Sequence, residues 1–132
     1  MNRIEHIGIA VKDLQQAEKN FEQLLGTKAY KSEVVDSEGV KTMFFKVGET
    51  KIELLQATRE DSAIAKHIEK RGEGIHHIAF DVDSVENKSA QLTEDGFRVL
   101  NDKPKDGADD KRINFIHPKS SNGVLVELCQ DK

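Results

Sequence analysis

The sequence has a single cysteine, Cys129, and only two prolines among its 132 residues. A lone thiol forms no internal disulfide, and its place in an apolar run near the end reads as a small buried core residue. No apolar run approaches the roughly 20 residues that a membrane span needs, which excludes an anchor of that kind. The opening MNRIEHIGIAVK lacks a basic stretch followed by an apolar core and a cleavage site, so no export signal is expected and the location is read as cytoplasmic. Charge of one sign is also scarce. Twenty Lys and Arg stand against 24 Asp and Glu, a net charge of −4, with no basic stripe and no interleaved aromatics, so nucleic acid is excluded as the principal partner.

What is present is ordinary for a soluble globular chain, 36% hydrophobic and 33% charged, and of a length that fits one domain. Arg3 to Val11 alternates as a strand, with Ile4, His6, Gly8 and Ala10 on one side and Glu5, Ile7, Ile9 and Val11 on the other. A helix follows, with Asp13 as N-cap, Gln16 three residues on, apolar positions at Leu14, Ala17, Phe21, Leu24 and Leu25, and Gly26 as the stop. Strands are predicted at about 28–35, 40–47 and 51–56, the last two joined by the turn Gly48-Glu49-Thr50. A short helix capped by Ser62 and ended by Gly72 then carries Ile64 and Ile68.

The pattern then repeats. A shift of 71 positions lays IEHIGIAV, from Ile4, over IHHIAFDV, from Ile75, so that His6 falls on His77. Asp83 and Glu86 form a second capping box, Val85 and Leu92 face a core, Gly96 ends the helix, and strands near 97–100, 111–117 and 123–129 complete the copy. Asp102 to Asp110 reads as a polar, mobile loop. The chain is thus expected to be α+β, a single domain of two paired β-α-β-β-β modules, about 1–58 and 73–132, joined by a helix at about 61–72. Each copy is too small to bury its sheet alone, so the two should pack side by side around a pseudo-symmetric site.

The polar residues that interrupt strand faces locate that site. His6 and His77 hold equivalent positions in the two first strands, while Glu53 and Glu127 lie in the last strand of each copy, within KIELLQ and VLVELCQ. The separations agree, 47 residues from His6 to Glu53 and 50 from His77 to Glu127. A strand histidine taken singly is more often a core or surface residue, and an alternating Glu usually faces solvent. Four in register, with each Glu flanked by apolar residues, are costly to bury without a charged partner and make a natural set for a divalent first-row metal. His76 points away by alternation, and His67 and His117 belong to a helix and a strand end.

On the runs IEHIGIAVKDL from Ile4, KIELLQAT from Lys51, DSAIAKHIEKRGEGIHHIAFDVD from Asp61 and RINFIHPKSSNGVLVEL from Arg112, the sequence resembles the vicinal oxygen chelate superfamily and, within it, the methylmalonyl-coenzyme A epimerase family. The resemblance implies an open-sided cup of mixed β-sheet, a homodimer, and metal ligands at His6, Glu53, His77 and Glu127. It implies Co²⁺ first as the ion, with Mn²⁺, Ni²⁺ or Zn²⁺ as alternatives. The implied activity interconverts (2R)- and (2S)-methylmalonyl-CoA by removing and returning the C2 proton while the metal offsets the enolate's charge; the pseudo-symmetry of the modules offers Glu127 and Glu53, one from each, as the two bases. Arg112, Asn114, His117, Lys119 and Ser120 are the implied substrate contacts, and Lys103 and Lys105 are further candidates for the coenzyme A phosphates. The sequence departs from the family at Thr42, where some members carry a Glu two residues after a Gly-Val pair, here Gly39-Val40; Glu38, in the turn, is a weak substitute. The rival readings are a glyoxalase-type lyase on the same fold and a metal-free, ligand-binding module of the resistance type.

Overall fold

The computed structural model describes residues 1–132, and they divide into two compact units, His6–His76 and Met1–Glu5 with His77–Lys132. The alternating segments become strands β1 (Arg3–Ala10), β2 (Lys31–Val35), β3 (Val40–Val47) and β4 (Thr50–Ala57) in the first repeat. Those of the second repeat are β5 (Gly74–Asp81), β6 (Lys105–Gly107), β7 (Lys111–Ile116) and β8 (Val126–Asp131). Helices α1 (Leu14–Leu25) and α3 (Val85–Glu94) follow the first strand of each repeat, and α2 (Ala63–Arg71) joins the two. Each repeat is therefore β-α-β-β-β, as its pattern predicts.

Within the first unit the strand order is β2-β3-β4-β1, and within the second β5-β8-β7-β6. In both, the first strand runs parallel to the last while the remaining pairs are antiparallel. The parallel pairing follows from the helix crossover between them, which antiparallel hairpins do not need.

One face of the first sheet packs Ile9, Val11, Met43, Phe45, Ile52 and Leu54 against Leu14, Ala17, Phe21 and Leu25 of α1. The cross-strand register puts His6, Gly8 and Ala10 of β1 on the opposite face with Glu53 and Leu55 of β4 and with Thr42 and Phe44 of β3. Helix α2 covers one end of that face, setting Ile64 and Ile68 on Ala10, Val40 and Leu55. The second sheet repeats the arrangement. Val85 and Leu92 of α3 lie on Ile116, Val126 and Leu128, and the other face groups Ala79, Ile113, Phe115 and Cys129.

The helix ends agree with the sequence in two of three cases. Asp13 accepts a hydrogen bond from the Gln16 backbone N–H at 3.2 Å, Gly26 takes the left-handed conformation at φ 69°, and Ser62 accepts from Ala65 N–H at 3.1 Å. The third helix starts one residue later than predicted. Its cap is Ser84, accepting from Asn87 N–H at 3.1 Å, whereas Asp83 accepts from the Asn2 side chain at 3.0 Å and Glu86 reaches Arg112 at 2.7 Å instead of turning back to the cap. The Gln130 side-chain amide oxygen accepts from the Val85 N–H at 2.6 Å, pinning the first turn to β8. The helix closes at Asp95, before Gly96.

The strand predicted at 97–100 is reduced to one bridge, Val99 with Ile116, and β6 falls inside the segment predicted to be a mobile loop. The amide of Asn114 explains the early part of this path: it accepts from the Asn101 backbone N–H at 3.2 Å and donates to the Asn101 carbonyl at 3.0 Å, drawing the chain away from the sheet edge. It returns as β6, where Gly107 lies so close to Ile113 that a Cβ would meet its Cδ1 at 2.8 Å. The strands predicted from 28 and from 123 begin later, at Lys31 and Val126; the second follows a turn in which Asn122 adopts φ 58°. No helix is long and apolar enough to cross a membrane.

Cys129 is fully buried, and its thiol donates to the Phe80 carbonyl at 3.5 Å. Burial, with the Glu127 and Glu5 carboxylates, pushes its pKa far up, against a smaller opposing pull from Lys111.

Two outcomes are expected. Ser84→Ala should lower unfolding stability in urea by about 1 kcal/mol, the usual worth of an N-cap, while Asp83→Ala should cost less. Iodoacetamide at pH 8 should leave Cys129 unlabelled in the folded protein, as read by intact mass, and label it fully in urea.

Candidate metal centre

In the first unit His6 projects from β1 and Glu53 from the neighbouring strand β4, with His6 Nε2 3.3 Å from Glu53 Oε1. Both side chains are nearly inaccessible, at 6% and 5% exposure. The register explains the meeting: Glu53 lies directly beside Gly8, two residues along β1 from His6 and on the same face. A larger residue at position 8 would put a side chain beside that carboxylate. Phe44 stands across from Glu53 on the other side, in β3.

The second unit repeats this geometry. His77 Nε2 is 3.3 Å from Glu127 Oε1, again with both side chains buried. Glu127 lies beside Ala79 of β5 and across from Phe115 of β7. The Phe115 ring meets His77 edge-on, with centroids 6.2 Å apart and planes at 85°. Within each repeat, the histidine and glutamate selected by register in the sequence are thus brought together. An imidazole nitrogen and a carboxylate oxygen, both withdrawn from water and facing each other, are a donor pair suited to a divalent first-row ion. The arrangement also suits the chemistry such an ion needs, because a buried carboxylate requires a nearby positive charge.

The other residues singled out in the sequence are placed differently. Arg112 and Asn114 share the helix-covered face of β7. Arg112 pairs with Glu86 of α3 at 2.7 Å, and the fully buried Asn114 bonds Asn101 and, at 3.3 Å, Ser89. Pro118–Ser121 form a 3-10 turn in which His117 Nδ1 accepts from Lys119 N–H at 3.0 Å. Ser120 Oγ accepts from Arg98 N–H at 2.9 Å. His67 and His76 meet edge-on at 4.9 Å, and burial together with Arg71 lowers the pKa of His67. Thr42 is buried on the Glu53 face, its hydroxyl donating to the Glu33 carbonyl at 3.3 Å, and Glu38 belongs to a 3-10 turn.

Sequence reasoning passed over one group. Glu5 is 1% exposed, with Oε2 3.8 Å from Lys111 Nζ and 3.7 Å from the Arg3 guanidinium. Lys111 also donates to Asp131 across the strand pair. The signal was present, since Glu5 alternates with Ile7 and Ile9, and Lys111 with Ile113 and Phe115.

Known proteins share this architecture along its whole length. Residues 5–115 match the family model of the Glyoxalase/Bleomycin resistance protein/Dioxygenase superfamily. The ethylmalonyl-CoA/methylmalonyl-CoA epimerase of Cereibacter sphaeroides is 40% identical, over 98% of this chain and 98% of the relative. The mitochondrial methylmalonyl-CoA epimerase of Homo sapiens is 37% identical, over 98% of this chain and 74% of the relative. Among solved structures, a variant of the Streptomyces coelicolor methylmalonyl-CoA epimerase in complex with 2-nitronate-propionyl-CoA superposes with a TM-score of 0.96 at 39% identity, covering 99% of this chain and 95% of the other. With its repeated β-α-β-β-β fold and a matched segment from Glu5 to Phe115, the chain belongs to the glyoxalase/bleomycin resistance protein/dioxygenase superfamily.

Proposed function

We propose that the protein is a methylmalonyl-coenzyme A epimerase whose residues 1–132 act as one domain, with His6, Glu53, His77 and Glu127 serving a single divalent ion. The observation that carries this reading is the doubled pair, one buried His–Glu contact of 3.3 Å in each repeat, in a chain whose relatives include a methylmalonyl-CoA epimerase and an ethylmalonyl-CoA/methylmalonyl-CoA epimerase.

The reaction removes the proton at C2, between a thioester and a carboxylate, and returns one to the opposite side. Bound there, Co²⁺ or a similar ion would supply Lewis acidity, several kcal/mol of charge stabilisation by the usual estimate. The protein's own groups do the rest. Glu127 takes the C2 proton from one side and Glu53 donates from the other, the division of labour that a duplicated site offers to a two-sided reaction. Phe44 and Phe115, each across a strand pair from one of these carboxylates, wall them with apolar surface and keep water from competing for the proton. Thr42 has a hydroxyl with no basicity near neutral pH, which leaves Glu53 as the carboxylate of the first repeat in this role.

The test follows C2 hydrogen exchange in D₂O by proton NMR, with each epimer supplied separately to Glu127→Gln and Glu53→Gln. Each variant should lose about 10²–10⁴-fold in rate; full exchange in both would sink the two-base assignment. Metal content, measured beside it, separates lost ligation from lost basicity. Stripping the wild type with a chelator should abolish epimerisation and Co²⁺ should restore it, whereas an undiminished rate in the metal-free protein would refute the metal reading.

A further inference from the structure

We infer that Lys105 is the cation that holds an anionic group of the substrate, either its free carboxylate or the phosphates of coenzyme A. The inference rests on the epimerase reading and assigns one of its binding residues.

Lys105 sits in β6, the edge strand that the sequence pattern did not reveal. It lies across from Ile113, which lies across from Cys129, so side-chain alternation puts Lys105 on the face of the second sheet that carries His77 and Glu127. Its ammonium stands 5.8 Å from the centroid of the Phe115 ring, a cation–π distance. That ring is the one across from Glu127 and edge-on to His77. The charge is therefore held one aromatic ring away from the His–Glu pair, on the same surface.

Three other cations of this unit are engaged by carboxylates. Arg112 is turned to Glu86 on the helix side, Lys111 is engaged by Glu5 and Asp131, and Lys132 lies 3.2 Å from Asp106. The duplication supplies an internal comparison. In the first repeat the position equivalent to Ile113 is Thr42, two residues before the phenylalanine that faces the glutamate, and the residue across from Thr42 is Glu33. One repeat thus offers a carboxylate where the other offers an ammonium. A substrate that is anionic at one end needs such a difference between two otherwise matching halves, and an ammonium binds carboxylate or phosphate as a point charge.

The test compares Lys105→Ala, Lys105→Arg and Lys105→Glu with the wild type on methylmalonyl-CoA and on methylmalonyl-pantetheine, which lacks the nucleotide phosphates. Affinity of metal-free protein for coenzyme A is measured alongside by calorimetry. Lys105→Ala should raise KM by roughly 10-fold or more, the worth of one charge-assisted bond, with a smaller change in kcat. Arg should recover most of the loss and Glu should deepen it. If the KM penalty persists with the pantetheine ester, the anion is the substrate carboxylate. If it vanishes there while coenzyme A affinity falls in parallel, the anion is phosphate. Unchanged KM for both substrates in Lys105→Ala, beside an active wild type, overturns the inference. A wild type that fails to epimerise either substrate overturns the epimerase reading instead.

Discussion

A carboxylate on a central strand, with apolar neighbours on both sides in sequence, sets the terms for this protein. Glu53 stands between Ile52 and Leu54, and Glu127 between Val126 and Leu128, and both are buried. Desolvating such a group costs several kcal/mol unless positive charge and hydrogen-bond donors meet it. Each is met at 3.3 Å by the imidazole of the parallel neighbour strand. Much of the surrounding architecture serves that meeting. The helix crossover makes the pairing parallel, Gly8 and Ala79 beside the carboxylates keep side-chain bulk low, and the phenylalanines across from them close the other side.

The same geometry occurs in both repeats although few residues outside the first strand are shared between them. What the copies retain is the register. Gly8 beside Glu53 and Ala79 beside Glu127 are the same lattice position, as are Phe44 and Phe115. Away from those rows the copies diverge in polarity: Thr42 answers Ile113, and Glu33 answers Lys105. Each repeat thus keeps its His–Glu pair in the same register while the residues two rows away differ in polarity.

Much of this is legible in the sequence. Strand β3 starts and ends where its alternation does, Asp13, Gly26 and Ser62 act as the caps they resemble, and the histidine–glutamate pairs follow from the internal repeat. The parts that were not legible share a physical cause. Ser84 and Asp83 are adjacent residues of equal capping aptitude, and the contact that chooses between them, Gln130 with the Val85 N–H, lies 45 residues away in sequence. The edge strand β6 reads KDG, with no alternation to mark it, because an edge strand is specified by its neighbour. Nor does the mixed polarity of the short strand β7 reveal which of its faces a helix covers. Only the pairing with β8 and the contacts to Glu86 and Ser89 decide that.

The chain passes from one compact unit to the other at two peptide bonds, Glu5–His6 within β1 and His76–His77 within β5. In each case the first residue beyond the crossing is the histidine of a His–Glu pair. Strand side chains alternate with a period of two, so a single residue inserted or deleted at either crossing would put the segments on its two sides out of register and turn the side chains of one of them to the opposite face. Chain length at these two short places is therefore tied to strand register in a way that length in a turn is not.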